Sequence, residues 1–207
     1  MKKAIVIIFL VLLFDQVLKI WVKTTMTMGE SHLVFANWFF IHFTENEGMA
    51  FGMKLGGSMG KLFLSLFRII AVILMGWWLY RVSRSKGSDG LMICISLIMA
   101  GALGNILDSA FYGLIFNEST YMQVAQVFPP GGGYASFLHG KVVDMLYFPI
   151  IETHYPSWVP FFGGEDFLFF RPVFNIADSS ITTGVFLLIL FQKKFFAKKE
   201  EITPGID

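Results

Sequence analysis

Four long apolar stretches constrain the fold of this 207-residue chain more than any other feature. They span about 4–22, 62–80, 91–112 and 178–195, and each approaches or exceeds the roughly 18–20 residues that a helix needs to cross a bilayer. With 55% hydrophobic and 15% charged residues, the chain lies outside the range of soluble globular domains, which are about 45–50% apolar and 25% charged. The sequence therefore predicts a mainly α-helical membrane protein with four transmembrane helices.

Basic residues cluster on one side of the four predicted helices. Because lysine and arginine collect in cytoplasmic loops, both termini are predicted to be cytoplasmic, and the segments at about 23–61 and 113–177 are predicted to lie outside. No internal repeat or linker divides the chain, so residues 1–207 are expected to form a single integral membrane domain. The clusters are Lys2 and Lys3; Arg81, Arg84 and Lys86; and Lys193, Lys194, Lys198 and Lys199.

The two outer segments differ in composition. Aromatic and β-branched residues around 33–43, bounded by Gly29 and the Gly56-Gly57 pair, predict a short hairpin or small sheet on the outer membrane surface. The second segment is rich in aromatic residues that suit the headgroup region. The N-terminus also resembles a signal peptide, but no A-x-A-like site follows it, so the first stretch is expected to remain as a helix.

Two aspartates, Asp144 and Asp178, lie where a membrane protein ordinarily avoids charge. A carboxylate near hydrocarbon is costly unless it is paired or faces a wet cavity. Asp178 could cap the start of the fourth helix, whereas Asp144, inside an apolar stretch, has no such explanation. Two carboxylates close together at low dielectric do not both ionise easily, so one keeps a proton while the other acts as a base. Such a pair can hydrolyse an amide without a metal or cofactor.

Further polar residues interrupt the first and third helices near the same predicted depth. Asp15 and Lys19 are spaced i,i+4 and can pair, and they are interpreted either as an interfacial anchor with Lys19 snorkelling or as direct substrate contacts. Asn105 and Asp108 share one face of the third helix. Asn105 can orient a carboxylate or a substrate carbonyl, and Asp108 is either an anchor of the helix end or a catalytic group.

Three other features of the helices have structural interpretations. Gly101 and Gly104 predict close packing of the third helix against a neighbour. Asn175, three residues before Asp178, shares its face at the start of the fourth helix. Arg68, in the middle of the second helix, is another costly charge and is predicted to pair with an inward carboxylate.

Other chemistries and functions find less support. The four histidines show no H-E-x-x-H or H-x-x-x-H spacing, Cys94 has no base partner nearby in sequence, and a net charge of +1 gives no sign of a nucleic-acid partner. Two alternatives remain open at this point. A small proton-coupled transporter also uses intramembrane acids, and a noncatalytic scaffold would use them as caps and anchors.

Taken in order, five motifs resemble the lipoprotein signal peptidases of bacterial inner membranes, also called signal peptidase II. They extend from the first helix to the start of the last. The motifs are Asp15-x-x-x-Lys19, Asn46-x-Gly48-x-Ala50-Phe51, Gly101-Ala-Leu-Gly-Asn105-Ile-Leu-Asp108, Val142-Val-Asp144 and Phe174-Asn175-x-Ala177-Asp178.

The resemblance implies an intramembrane aspartic endopeptidase that removes the signal peptide from diacylglyceryl-modified prolipoproteins, cutting just before the lipidated cysteine. It implies a site near the outer face of the inner membrane, contact with membrane lipid, and inhibition by the cyclic peptide globomycin. Asp144 and Asp178 match the catalytic dyad. The residues that match supporting or substrate-binding positions are Asn46, Gly48, Ala50, Asn105, Asn175, Asp15, Lys19 and Asp108.

Two features depart from the family pattern. Ser109 stands where the family usually has an arginine after the third-helix aspartate. The stretches from Asp108 to Asp144 and from Asp144 to Asp178 are also longer than in most members, which predicts that the outer loops at 113–141 and 148–172 recognise or shield substrate differently.

Overall fold

A computed structural model of the chain describes residues 1–36, 38–48, 57–85, 87–149, 151–154, 158, 164, 166–169 and 172–196. Ala50, which the family resemblance assigns to the loop bordering the substrate groove, lies outside these residues.

Three helices have the length and apolar composition needed to cross a membrane, namely Lys2–Thr25, Met59–Arg84 and Asp89–Ile115. The fourth predicted span corresponds to a shorter apolar helix, Ile176–Leu190. Its 15 residues extend about 22 Å, less than the roughly 30 Å of a hydrocarbon core. The predicted length and apolar composition are therefore confirmed for three helices, while the fourth is present as a shorter apolar helix.

The first two helices extend beyond their apolar stretches because charged and polar residues continue their first or last turns. The second helix, for example, begins at Gly57 and not near residue 62, and the first continues through Lys23 to Thr25. In chain order the helices are α1 (Lys2–Thr25), α2 (Gly57–Arg84), α3 (Asp89–Leu107), α4 (Gly113–Ile115), α5 (Ile176–Leu190) and α6 (Gln192–Phe195), with a π-helical stretch at Asp108–Tyr112 joining α3 to α4.

Close packing between α3 and α5 depends on small residues. A Cβ atom added to Gly104 would lie 2.7 Å from Asp15 Oδ2 and 3.2 Å from the Ala177 Cβ. One added to Gly101 would collide with the Ala177 carbonyl oxygen. The predicted packing role of these two glycines is confirmed, and it brings polar groups of α1, α3 and α5 within hydrogen-bonding range.

A four-stranded antiparallel sheet accompanies the helices, in the order β1-β2-β3-β6, and a second hairpin pairs β4 with β5. The predicted hairpin around 33–43 is confirmed as β1 and β2, whereas the pairing of β3 with β2 and β6 was not predicted. The strands are β1 (Ser31–Phe35), β2 (Phe39–Asn46), β3 (Val142–Tyr147), β4 (Ile151–His154), β5 (Asp166–Phe169) and β6 (Val173–Phe174).

The alternation of side chains along β3 positions Asp144. Val143 and Met145 are fully buried in a core that also contains Phe43 and Val22. Because successive side chains of a strand point to opposite faces, Asp144 projects away from that core. The strand therefore presents its carboxyl to the start of α5 and to the end of β2.

Candidate active site

The Asp144 carboxyl is buried and is held by two side-chain amides. Asn175 Nδ2 donates to Asp144 Oδ1 at 2.7 Å, and Asn46 Nδ2 donates to Asp144 Oδ2. Only 3% of Asp144 is exposed. Burial, followed by the negative charge of Asp178, raises the pKa of the Asp144 carboxyl to about 7. A carboxyl of this kind can carry a proton at neutral pH and give it up during a reaction.

Asn175, and not Asp178, caps helix α5. The Asn175 side-chain oxygen accepts a hydrogen bond from the backbone N–H of Asp178 at 2.8 Å, so the capping interpretation of Asp178 is wrong. The spacing explains the difference, because an N-cap side chain reaches the N–H of the third residue beyond it. The carboxyl of Asp178 is thereby left available in the first turn, and one asparagine side chain contacts both aspartates.

Asn105 of α3 reaches the second aspartate. Its Nδ2 donates to Asp178 Oδ1 at 2.7 Å, while its Oδ1 accepts from Asn175 Nδ2 at 3.4 Å and from Lys19 Nζ at 3.0 Å. The side chain is almost fully buried. The amide therefore has a fixed orientation, with its donor directed at the Asp178 carboxylate.

Gly48 orients Asn46, the other asparagine that contacts Asp144. Its backbone N–H donates to Asn46 Oδ1, so the Asn46 amide has its donor directed at Asp144. Gly48 has φ of +90°, a conformation that residues with a Cβ atom rarely adopt. The glycine thus allows the tight turn that orients Asn46.

Behind the two aspartates, a buried ion cluster joins α1 to α3. Lys19 Nζ lies 2.9 Å from Asp15 Oδ2 and 2.7 Å from Asp108 Oδ2. The predicted Asp15–Lys19 pair is confirmed, but the predicted snorkelling of Lys19 is wrong, because its side chain is 0% exposed. Two buried carboxylates supply the counter-charge that an isolated lysine would have to seek in water.

Asp15 also connects the ion cluster to α5, and Gln16, which was not predicted from the sequence, joins Asp15 to Asp108. Asp15 Oδ1 accepts from the Ala177 backbone N–H at 2.9 Å. Gln16 Nε2 donates to Asp15 Oδ2 at 3.1 Å and to Asp108 Oδ1 at 2.9 Å. The signal that could have identified Gln16 is its position as an amide inside an apolar stretch, where polar groups need partners.

Arg68 does not form the carboxylate pair predicted for it within the described part of the chain. Its Nη2 donates instead to the backbone carbonyl oxygen of Gly48 at 2.5 Å. Ser109, which stands in the usual place of an arginine, is buried and donates to the Asn105 carbonyl oxygen at 3.0 Å within its own helical turn. Arg68 therefore contacts the turn at Gly48 from α2.

A second buried polar cluster was not predicted. Lys23, at the end of α1, forms an ion pair with Glu45 of β2 and donates to Ser119 Oγ at 2.7 Å. Its ammonium group also lies 5.3 Å from the ring centroid of Phe116 and 5.2 Å from that of Tyr134. This cluster fixes α1 against β2 one residue before Asn46, so it supports the position of the site.

The described residues contain no cluster of three or more His, Cys, Asp or Glu side chains able to hold a metal ion. Asp144 and Asp178 have amide donors directed at their oxygens and no lysine or arginine in an ion pair with them in this part of the chain. Carboxyls in such surroundings can exchange protons with water and with a bound amide.

Comparison with known proteins agrees with this architecture. The family model described as Signal peptidase (SPase) II matches residues 7–194. The lipoprotein signal peptidase of Porphyromonas gingivalis (strain ATCC 33277) is 55% identical over 193 residues, which cover 91% of this chain and 82% of that protein. The lipoprotein signal peptidase of Chlorobium phaeobacteroides (strain BS1) is 31% identical, over 91% of this chain and 94% of its own. A solved bacterial membrane enzyme structure, obtained by the in meso method at 2.3 Å resolution, has a TM-score of 0.61 and 27% identity, covering 98% of this chain and 96% of its own. The chain therefore belongs to the signal peptidase II family, the lipoprotein signal peptidases.

Proposed function

We propose that this peptidase is an aspartic endopeptidase in which Asp144 and Asp178 activate water. The observation that carries the proposal is the bridge through Asn175, whose Nδ2 donates to Asp144 Oδ1 and whose Oδ1 accepts from the Asp178 N–H. One rigid, fully buried side chain thus sets the relative positions of two carboxyls. The peptidase family favours this chemistry over the proton-coupled transporter.

The proposed reaction uses the one proton that the two carboxyls share. The ionised carboxyl takes a proton from water as the water oxygen bonds to the scissile carbonyl carbon, and the protonated carboxyl gives its proton to the carbonyl oxygen. In the second half the carboxyl that now holds the proton gives it to the amide nitrogen, and the other carboxylate takes a proton from a hydroxyl of the gem-diol intermediate. The C–N bond breaks, and an acid and an amine leave. One water is consumed, and the pair regains its single proton.

The remaining residues of the proposed site orient this pair. Asn46 and Asn105 direct amide donors at Asp144 and Asp178 respectively, which limits rotation of the carboxyls. Asp15, Lys19 and Asp108 hold the helices that carry them and are proposed to support the site without touching substrate. Gly48 is proposed to border the substrate groove, together with Ala50.

The proposed location is the outer face of the bacterial inner membrane, within a single peptidase domain of residues 1–207. The charges along the helices support it. Lys3 lies in the first turn of α1 and Arg81 in the last turn of α2, and basic ends are typical of the cytoplasmic side. Exposed Phe9 and the other outward apolar side chains of α1 and α2 suit contact with membrane lipid.

The proposed substrate is a diacylglyceryl-modified prolipoprotein cut just before the lipidated cysteine. We expect the purified protein, in detergent, to cleave such a prolipoprotein into a free signal peptide and a mature chain that begins with that cysteine, as read by mass spectrometry. The matched control is the same prolipoprotein without the lipid, which we expect to be cleaved far more slowly. Cleavage at another bond, or equal rates with and without the lipid, would contradict the proposed specificity. Globomycin is expected to inhibit the reaction.

The raised pKa of Asp144 predicts the alkaline limb of the pH profile. Because burial and the Asp178 charge raise this pKa to about 7, the shared proton is present below that pH and is lost as the pH rises through it. We therefore expect kcat/KM to fall as the pH increases from about 6 to about 9. Initial rates on a substrate without titratable side chains near the cleaved bond test this expectation, and a rate that still increases above pH 7 would contradict it.

A further inference from the structure

Arg68 carries N–H donors that the described part of the chain leaves unused. Its guanidinium is tied to the Gly48 carbonyl oxygen through Nη2 at 2.5 Å. The other terminal nitrogen, Nη1, is buried and has no hydrogen-bond partner among the described residues. A guanidinium has five N–H donors in a fixed plane, so fixing Nη2 also fixes the direction in which Nη1 can donate.

An unpaired, buried guanidinium N–H is costly, especially in the middle of a membrane helix. The negative charges of Asp178, Asp108 and Asp144 attract the Arg68 guanidinium. None of the three carboxylates, however, forms an ion pair with it in the described part of the chain. The arginine is therefore held close to the acidic site by a backbone carbonyl, and its Nη1 has no hydrogen-bond partner among the described residues.

The free donor lies beside the turn that orients the proposed dyad. A Cβ atom added to Gly48 would lie 2.9 Å from Nη1, so the nitrogen sits directly against the Gly48 backbone. Gly48 in turn donates to Asn46, and Asn46 donates to Asp144. A peptide that approached Asp144 along this turn would bring its main chain within reach of Nη1.

We propose that Arg68 is a substrate-binding residue whose Nη1 donates to a main-chain carbonyl oxygen of the peptide at or next to the scissile bond. The inference rests on the proposed function, since it assumes that peptide is cleaved beside Asp144. A neutral carbonyl satisfies the donor and leaves Asp144 and Asp178 free to exchange protons. The contact would fix the register of the peptide at the dyad, because a guanidinium held at Gly48 meets only one carbonyl position.

The test measures binding separately from catalysis. The probe is a synthetic diacylglyceryl lipopeptide whose scissile nitrogen is methylated so that it resists cleavage, and its Kd is measured by titration of the full-length protein in detergent. Three analogues each replace one carbonyl by CH2, at the scissile residue and at its two neighbours. We expect Arg68→Met to weaken binding of the parent peptide about tenfold to a hundredfold, the range for a hydrogen bond to a charged group.

The analogues identify the carbonyl. One analogue is expected to bind the unaltered protein with about the same Kd as the parent peptide has for Arg68→Met. The same analogue is expected to bind Arg68→Met no more weakly, because the peptide change and the protein change remove the same contact. Arg81→Met is the matched control, since Arg81 lies on the same helix over the ring of Trp77. It is expected to leave every Kd unchanged.

Two results would overturn the proposal. In the first, Arg68→Met binds the parent peptide as tightly as the unaltered protein does, while kcat is reduced or the pH profile is displaced. Arg68 would then act only on Gly48 or on the charge of the dyad. The second needs no variant: all three analogues bind the unaltered protein as tightly as the parent does. A failure of the dyad would appear separately, as unchanged cleavage in aspartate variants whose Kd values are normal.

Discussion

Asp144→Asn and Asp178→Asn, made separately, are each expected to lower kcat by about a thousandfold or more. The magnitude follows because each substitution removes one half of the proposed proton exchange, and general acid–base catalysis together with stabilisation of a developing oxyanion contributes at least that factor. Asparagine keeps the size of the side chain and one acceptor oxygen. That oxygen can still accept from Asn105 at position 178, and from one of the two amides, Asn175 or Asn46, at position 144. The measurement is single-turnover cleavage of a diacylglyceryl-modified prolipoprotein.

The Tm of Asp144→Asn serves as a folding control, and the direction of its change can be predicted. Because the pKa of Asp144 is raised in the folded protein, the folded state loses stability as the pH rises from the ordinary carboxyl pKa to about 7. Asp144→Asn removes that loss, so its Tm is expected to equal or exceed that of the unaltered protein at pH values above about 7. A variant that is inactive and equally stable has lost chemistry and not structure.

Asp89→Asn is the matched activity control. Asp89 is an exposed acid that pairs with Lys3 at 2.6 Å, far from Asp144 along the helices, and its substitution is expected to leave kcat unchanged. Undiminished cleavage by either Asp144→Asn or Asp178→Asn would remove the dyad mechanism, whatever the control shows.

Local patterns in the sequence predicted those parts of the fold that depend on few residues. Apolar length identified three spanning helices, and aromatic and β-branched residues between glycines identified the hairpin of β1 and β2. The i,i+4 spacing of Asp15 and Lys19 predicted their pair, which is present at 2.9 Å. In each case the period of one helix or strand is sufficient to bring the relevant side chains together.

The rest depended on contacts between distant parts of the chain. Lys19 was predicted to snorkel toward water beside Asp15, whereas a second carboxylate, Asp108 at the end of α3, allows it to be fully buried. Lys23 pairs with Glu45 across 22 residues of sequence, and Gln16 reaches Asp108 across 92. No periodic pattern encodes such pairs, because they exist only after the helices have packed.

The same cross-chain contacts connect the ion cluster to the proposed dyad. Lys19 donates to Asn105 Oδ1, and Asn105 Nδ2 donates to Asp178 Oδ1. Asp15 accepts from the N–H of Ala177, the residue before Asp178. A charge buried in α1 therefore fixes an amide in α3 and the first turn of α5. Its removal should alter both stability and catalysis.

Lys19→Met is accordingly expected to lower the free energy of unfolding by about 3–5 kcal/mol, the cost of leaving buried carboxylates without their partner. Methionine fills a similar volume, so the loss comes from charge and not from a cavity. Activity at temperatures well below the Tm is also expected to fall, because Asn105 loses the contact that orients it toward Asp178. Thermal unfolding in detergent and kcat on the lipoprotein substrate measure the two effects.

Lys3→Met provides the same chemical change on the same helix at an exposed ion pair with Asp89, and it is expected to leave Tm and kcat unchanged because exposed pairs contribute little. A double-mutant cycle then isolates the buried charge. Asp108→Asn in the Lys19→Met background is expected to restore part of the lost stability, since it removes one of the two unpaired carboxylates. If Lys19→Met were as stable and as active as Lys3→Met, or if Asp108→Asn made it less stable still, the cluster would not be what holds α1 and α3 together behind the dyad.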